Sequence, residues 1–215
     1  MIASILPIHQ HDGPELARVH AAAMKTDQFW QFMLQGKPPF THEQIMVRHI
    51  GSWIADPTAR ILKAVNEDGA IIAWACWLTK EKQPSPDKPE SKSNFSPNDN
   101  PDISPPAIGQ RMQIDSAKWQ ADSRLRLDDK YIVLQALATD PQYQRLGIGS
   151  KLFEEGIAKA DELNMACWCQ ASPAGSQLYS KTGFETLGSD EYDLAEFGKY
   201  RFRYMIRPRQ RENKD

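Results

Sequence analysis

The sequence predicts an α/β (α+β) fold with a mixed, mostly antiparallel central sheet, helices on both faces and one βαβ unit. Three observations predict it. β-like runs alternate with amphipathic segments along the chain. Two consecutive β-like runs are joined by Asn66-Glu67-Asp68-Gly69, and Asp-Gly is a strong hairpin signal. Further on, a strand, a glycine-rich loop, a helix and a second strand follow in direct succession, which implies two parallel strands with a right-handed crossover.

Ala3–His9 reads as a first strand. Pro14–Lys25 places Leu16, Val19, His20 and Ala23 at helical spacing, with Asp12 as its expected cap. Thr41–Ala55 is a second helix, its apolar face formed by Ile45, Val47, His49, Ile50, Trp53 and Ile54, with Thr41 as the expected N-cap and Pro57 beyond its end. Between them lies the aromatic cluster Phe29–Leu34. Ala59–Val65 and Ala70–Leu78 are the two hairpin strands. A Pro/Ser-rich insertion is expected at about residues 80–128: from Lys80 to Pro106 the chain has almost no large apolar residue to offset ordering entropy, whereas Ile108–Leu127 can form a helix, with Trp119 returning the segment to the domain surface. Tyr131–Thr139 is a strand and Gly149–Leu163 a helix with Leu152, Phe153, Gly156, Ile157, Ala160 and Leu163 on one face. Met165–Ala171, Gly175–Lys181, Glu185–Leu194 and Lys199–Arg207 read as strand, short helix and a final pair of strands. Residues 1–215 read as a single domain.

A net charge of −2 and a pI near 6.2 give no electrostatic reason to expect nucleic acid or an anionic membrane as partner. No apolar run approaches membrane-spanning length, and Met1–Leu6 is too short before Pro7 for a signal-peptide core. Three cysteines, an odd number in a domain that needs no staples, point to a reducing, cytoplasmic setting. No metal site is expected, because all five histidines lie in the first fifty residues, away from Cys167 and Cys169. Those two cysteines flank Trp168 and read as a buried strand with both sulfurs on one face.

The most informative stretch is Leu134–Ser150, an apolar strand running through a turn into Gln144-Arg145-Leu146-Gly147-Ile148-Gly149 and straight onto a helix. Bare glycines permit close backbone approach, and the first-turn amides point outward with the positive end of the helix dipole behind them, an arrangement suited to an anion such as pyrophosphate. The spacing fits neither a dinucleotide fingerprint nor a P-loop.

Gln-x-x-Gly-x-Gly resembles the acetyl-CoA-binding motif of the GNAT superfamily of N-acetyltransferases. Asp140-Pro141-Gln142-Tyr143-Gln144-Arg145 is similar to that family's strand-to-loop junction. Leu178-Tyr179-Ser180-Lys181-Thr182-Gly183-Phe184 is similar to its tyrosine-bearing helix ending in Gly-Phe. The resemblance covers the last third of the chain. It implies that the strand before the loop and the strand after the helix splay apart to admit the pantetheine arm. Backbone groups of Leu137, Ala138 and Thr139 would then hold that arm, and amides of Gln144, Arg145, Leu146, Gly147, Ile148, Gly149 and Ser150 the pyrophosphate, with Ser172 as a further pantetheine contact. The Arg145 side chain adds charge there or stays in solvent.

The resemblance also implies that Tyr179 protonates the leaving sulfur; read alone it is a packing tyrosine on a half-buried helix. Gly183 and Phe184 read as helix end and core plug. The Phe29–Leu34 cluster fills the core or, by the resemblance, walls the acceptor site, where Trp30, Phe32, Trp74 and Trp77 would shape an apolar pocket. No carboxylate precedes Asp140 on the strand, so a general base is not evident; Asp128, Asp129 and Asp140 are the nearest acids, and a water chain or an acceptor of low pKa is the alternative. The resulting expectation is direct acetyl transfer from acetyl-CoA to a small-molecule amine by a monomer or homodimer. A protein lysine or N-terminal acetyltransferase and a non-catalytic acyl-CoA-binding module are the alternatives.

Overall fold

The computed structural model describes residues 3–81, 106–123 and 129–210. In chain order it has β1 (Ser4–Pro7), α1 (Gly13–Ala23), α2 (Gln28–Met33), α3 (Thr41–Ala55), β2 (Ala59–Val65), β3 (Ile71–Glu81), α4 (Pro106–Ser123), β4 (Lys130–Thr139), α5 (Ile148–Glu162), β5 (Ala166–Ala171), α6 (Pro173–Ser180), β6 (Glu185–Asp193) and β7 (Lys199–Arg207). Residues 82–105 and 124–128, the polar part of the expected insertion and the end of its helix, lie outside the described residues. The aromatic cluster forms a helix of its own, α2, capped by the Asp27 carboxylate accepting the Trp30 N–H at 3.1 Å.

The seven strands form one sheet in the order β1-β2-β3-β4-β5-β7-β6. Every neighbour pair is antiparallel except β4–β5, the parallel pair joined by the α5 crossover. Helices α5 and α6 cover one face through Leu152, Phe153, Ile157, Ala160 and Tyr179. On the other face α1 and α3 bury Leu16, Val19, Met46 and Ile50 against Trp74 and Cys76, while α2 packs on Tyr192, Tyr200 and Phe202. Helix α4 joins that second face. Its Trp119 stacks on Tyr204 with centroids 5.2 Å apart and donates its indole N–H to Asp190 at 2.7 Å. Gly188 of β6 makes the room, since a Cβ there would lie 2.0 Å from the Trp119 ring.

Two expected caps are corrected. Asp12 turns back to accept the His9 N–H at 2.6 Å and the Lys63 ammonium at 2.7 Å, so it neutralises a buried lysine and gives α1 no side-chain cap. Thr41 is buried as the first residue of α3, and the cap position is Phe40, which offers no side-chain acceptor.

The sequence alternation hides one irregularity in β4. Ala136 pairs with Cys76 and Leu134 with Trp77, leaving Gln135 as an extra residue. This bulge inverts the side-chain phase. Ile132 and Leu134 face α5 before it; afterwards Leu137 faces α5 and Ala138 the opposite side.

Candidate active site

The bulge coincides with a fork in the sheet. β4 and β5 share four register pairs, the last Leu134 with Cys169. Beyond it β5 continues beside β7 and β4 beside β3, so on its β5 side β4 is unpaired from Gln135 to Thr139. Burial changes at the same point: Tyr131–Leu134 are buried, Gln135 is exposed, and Ala136, Leu137 and Thr139 are half-buried. Unpaired backbone amides and carbonyls need partners, and here they face an open wedge. Gln170, at the opposing rim, holds a buried side-chain Nε2 with no partner among the described residues.

The wedge opens toward the glycine loop. Arg145 (φ 64°) and Gly147 (φ 78°) both take the left-handed conformation, a backbone pattern that directs successive N–H groups into one concavity. Residues Gln144 to Gly147 are exposed, and Gly147, the N-cap of α5, leaves the first-turn amides without a side-chain acceptor. The Gln144 amide donates to the Thr139 carbonyl at 3.1 Å and ties loop to strand. The glycines divide the labour differently from a shared close approach to ligand. Gly147 supplies conformation, since a Cβ there would meet nothing within 4 Å, whereas Gly149 admits the Thr139 hydroxyl 3.0 Å from where its Cβ would be.

Tyr179 stands at the apex of the fork. Its ring stacks on Phe153 at 4.8 Å and contacts Phe184, and Cys169, the last residue of the parallel pairing, lies nearby. Burial, reinforced by the Cys169 thiol, pushes its phenol far up, so the hydroxyl stays protonated at neutral pH. Gly175, one turn earlier, makes this placement possible: a Cβ there would lie 2.9 Å from the Tyr179 hydroxyl. Ser172 caps α6, its hydroxyl accepting the Gly175 N–H at 3.2 Å. Gly183 (φ 88°) ends the following turn and Phe184 enters the core. Leu137, Ala138, Thr139, the loop Gln144–Ser150, Ser172 and Tyr179 therefore border one wedge.

The four aromatics expected to shape an acceptor pocket do not come together. Trp74 and Trp77, three apart on a strand, point to opposite faces. Trp77 is buried beneath α5 in the space left by Gly156, where a Cβ would lie 2.0 Å from the indole. Trp74 is fully buried, and its indole N–H donates to the Leu16 carbonyl at 2.9 Å, pinning α1. Phe32 is core. Trp30 alone is half-exposed, its ring stacked on His42 at 4.0 Å. The cysteine reading stands: Cys167 and Cys169 share the α5 face, and burial pushes Cys167 up to about 12 and Cys169 well above the ordinary thiol range, too high for a nucleophile.

Among the acids, Asp128 lies outside the described residues. Asp129 precedes β4 at the end away from the fork, roughly 25 Å from Leu137 at strand rise. Asp140 is engaged by the Gln142 N–H at 3.1 Å and by Arg18 at 3.5 Å. A pair not singled out in the sequence is Asp27 and Tyr200. The Tyr200 hydroxyl donates to Asp27 Oδ2 at 2.6 Å, with the α6 cap Ser172 in its neighbourhood. The two lie 173 residues apart, so no local signal could pair them.

Residues 117–186 match the acetyltransferase (GNAT) domain family model. That stretch, about a third of the chain, is similar to the GNAT acetyltransferase domain. Arylalkylamine N-acetyltransferase 2 from Aedes aegypti is similar in structure at a TM-score of 0.73 with 17% identity, over 97% of this chain and 99% of that one. A Corynebacterium glutamicum protein described as histone acetyltransferase HPA2 and related acetyltransferase is similar at 0.65 and 20%, over 99% of both chains. A GNAT superfamily phosphinothricin acetyltransferase from Sinorhizobium meliloti, in complex with acetyl-CoA, is similar at 0.59 and 14%, over 100% of this chain and 92% of that one. No curated protein matches the sequence. At these identities the structural likeness speaks for the GNAT fold.

Proposed function

We propose that this protein is a GNAT acetyltransferase that transfers an acetyl group from acetyl-CoA to a small-molecule amine. The observation that carries the reading is the fork: an unpaired β4 edge from Gln135 to Thr139 leading to the open loop at Arg145 and Gly147. The residues present fit the donor. Leu137, Ala138 and Thr139 offer strand-like backbone partners for the amides of a pantetheine arm, as in β-augmentation. The amides of Gln144 to Ser150 offer a concave anion site for its pyrophosphate. Acetyl-CoA supplies an acyl group activated as a thioester.

The chain's own residues do the rest. β4 amides orient the acyl carbonyl and donate hydrogen bonds to its oxygen as negative charge develops there. Tyr179, neutral and at the fork apex, delivers its proton to the departing sulfur. A small acceptor is favoured because the face opposite α5 is walled near β6 and β7: Ile108 and Met112 of α4 join Phe29, Phe32 and Met33 of α2 in one cluster, and a Cβ on Gly109 would lie 3.2 Å from Met33.

Thiol release from acetyl-CoA across a panel of amines, alongside lysine and N-terminal peptides, tests the reading. Turnover on small amines with thermal stabilisation by acetyl-CoA is expected; stabilisation without turnover on any acceptor would indicate a binding module. Tyr179→Phe lowers kcat about 10²-fold with little change in acetyl-CoA stabilisation. An unchanged kcat removes Tyr179 from the acid role.

A further inference from the structure

The described acids on the face opposite α5 differ in their partners. Asp190 accepts the Trp119 indole N–H, and Asp115 is engaged by Arg111 at 3.3 Å and by the Tyr192 hydroxyl at 2.9 Å. Glu191, on β6, is half-buried and already paired with Lys199 at 3.0 Å and Arg201 at 2.7 Å. Asp27 stands apart. It is half-buried, one oxygen accepts the Trp30 N–H and the other the Tyr200 hydroxyl, and no described Lys or Arg pairs with it. A carboxylate has about four lone-pair sites, and two neutral donors leave two of them and the full negative charge unused.

We propose that Asp27 is the acceptor-side acid–base residue: it receives the ammonium head of the acceptor amine and takes its proton, with Tyr200 as the positioning residue. The proposal rests on the acetyl-transfer reading above. Tyr200 is buried, its hydroxyl bonds Asp27, and it lies near Ser172, the cap of the helix that carries Tyr179. One line of neighbouring residues thus runs from a proton-accepting carboxylate to the helix of the proton donor. Gln170 shares a face with Tyr204, and hence with Tyr200, so the unpartnered amide lies on Asp27's side of the sheet.

The step balances. The ammonium gives one proton to Asp27, and the freed nitrogen lone pair bonds to the acyl carbon. The carbon–sulfur bond breaks with its electron pair on sulfur, which takes the Tyr179 proton. The surplus proton on nitrogen returns to the Tyr179 oxygen, and Asp27 releases its own to water. The sum is ammonium plus thioester giving amide, thiol and one proton.

Asp27→Asn in the full chain tests this, because Asn caps a helix as well as Asp and keeps an acceptor for the Trp30 N–H. The probes are 2-phenylethylamine, an ammonium at neutral pH, and aniline, already neutral. Asp27→Asn is expected to lower kcat/KM for 2-phenylethylamine about 10²-fold and for aniline by less than about threefold, with acetyl-CoA stabilisation unchanged. Raising the pH toward about 10 supplies free alkylamine and closes the gap to wild type. Tyr200→Phe gives a smaller loss, again confined to the alkylamine. Equal losses on both amines, or no loss on either, overturn the role of Asp27. Wild-type protein that acetylates neither amine, or gains no stability from acetyl-CoA, overturns the acetyl-transfer reading beneath it.

Discussion

Acidification should weaken this protein through one buried contact. His20 of α1 and His42 of α3 meet Nδ1 to Nε2 at 3.1 Å, with Trp30 stacked on the His42 ring. One ring donates and the other accepts; a proton on the accepting nitrogen would set donor against donor, and a proton on any other ring nitrogen would put a charge in a buried site. Burial holds His42 down to about 4 and, together with His42 and His49, holds His20 well below its ordinary value. The unfolded chain takes up these protons near the ordinary histidine value of 6.5, whereas folded His42 resists until about 4. The stabilisation is therefore complete above 6.5 and is lost as pH falls toward 4. Between about pH 7 and about pH 5 the linkage for His42 alone amounts to about 2 kcal/mol. Urea unfolding followed by tryptophan fluorescence at the two pH values, on wild type and His42→Gln, isolates it. Gln retains a hydrogen-bonding partner for His20 but does not titrate, and His49, itself held by burial to about 4, is common to both proteins. The variant should lose about 2 kcal/mol less than wild type on acidification. Parallel losses would refute the reasoning.

Gly156→Ala drives a methyl into the Trp77 indole and should cost about 1–3 kcal/mol in denaturant unfolding, with Trp77→Phe recovering part of the loss in the double variant. Lys63→Met strands the Asp12 carboxylate, since both side chains are 9% exposed; a loss of about 3–5 kcal/mol is expected, most of it recovered by adding Asp12→Asn. Gly147→Ala has room for its methyl but must hold a left-handed backbone, at about 1–2 kcal/mol; acetyl-CoA stabilisation should fall more than the fold itself is destabilised.

Much of the fold was legible because local patterns carry it. Thr41–Ala55, Ala59–Val65 and Lys199–Arg207 end where the sequence places them, and the other strands and most helices lie within three residues. Period-3.6 and period-2 burial, an Asp-Gly turn and a Gly-Phe helix end are written in adjacent residues. The glycine loop and the tyrosine helix were legible for the same reason. What escaped depends on partners distant in sequence. Gln135 is a bulge only because β3 pairs on both sides of it, so the change of face along β4 could not be counted from alternation. Trp74 and Trp77 looked like one aromatic wall until strand geometry separated them. Asp27 and Tyr200 lie 173 residues apart, and their meeting is a property of the closed fold.

An open seven-stranded sheet has two rims, and the fork gives this one four over part of its length: β1 and β6 outside, β4 and β5 within. Rims are where sheets recruit foreign strands, and proteins usually blunt them with charge, proline or cover. The inner rims here face one another across a taper, with α5 and α6 roofing one side, so a slender extended molecule can enter where a further sheet cannot. A hazard that other β-proteins must suppress becomes in this one a reserve of unspent hydrogen-bonding capacity, already aligned before any guest arrives.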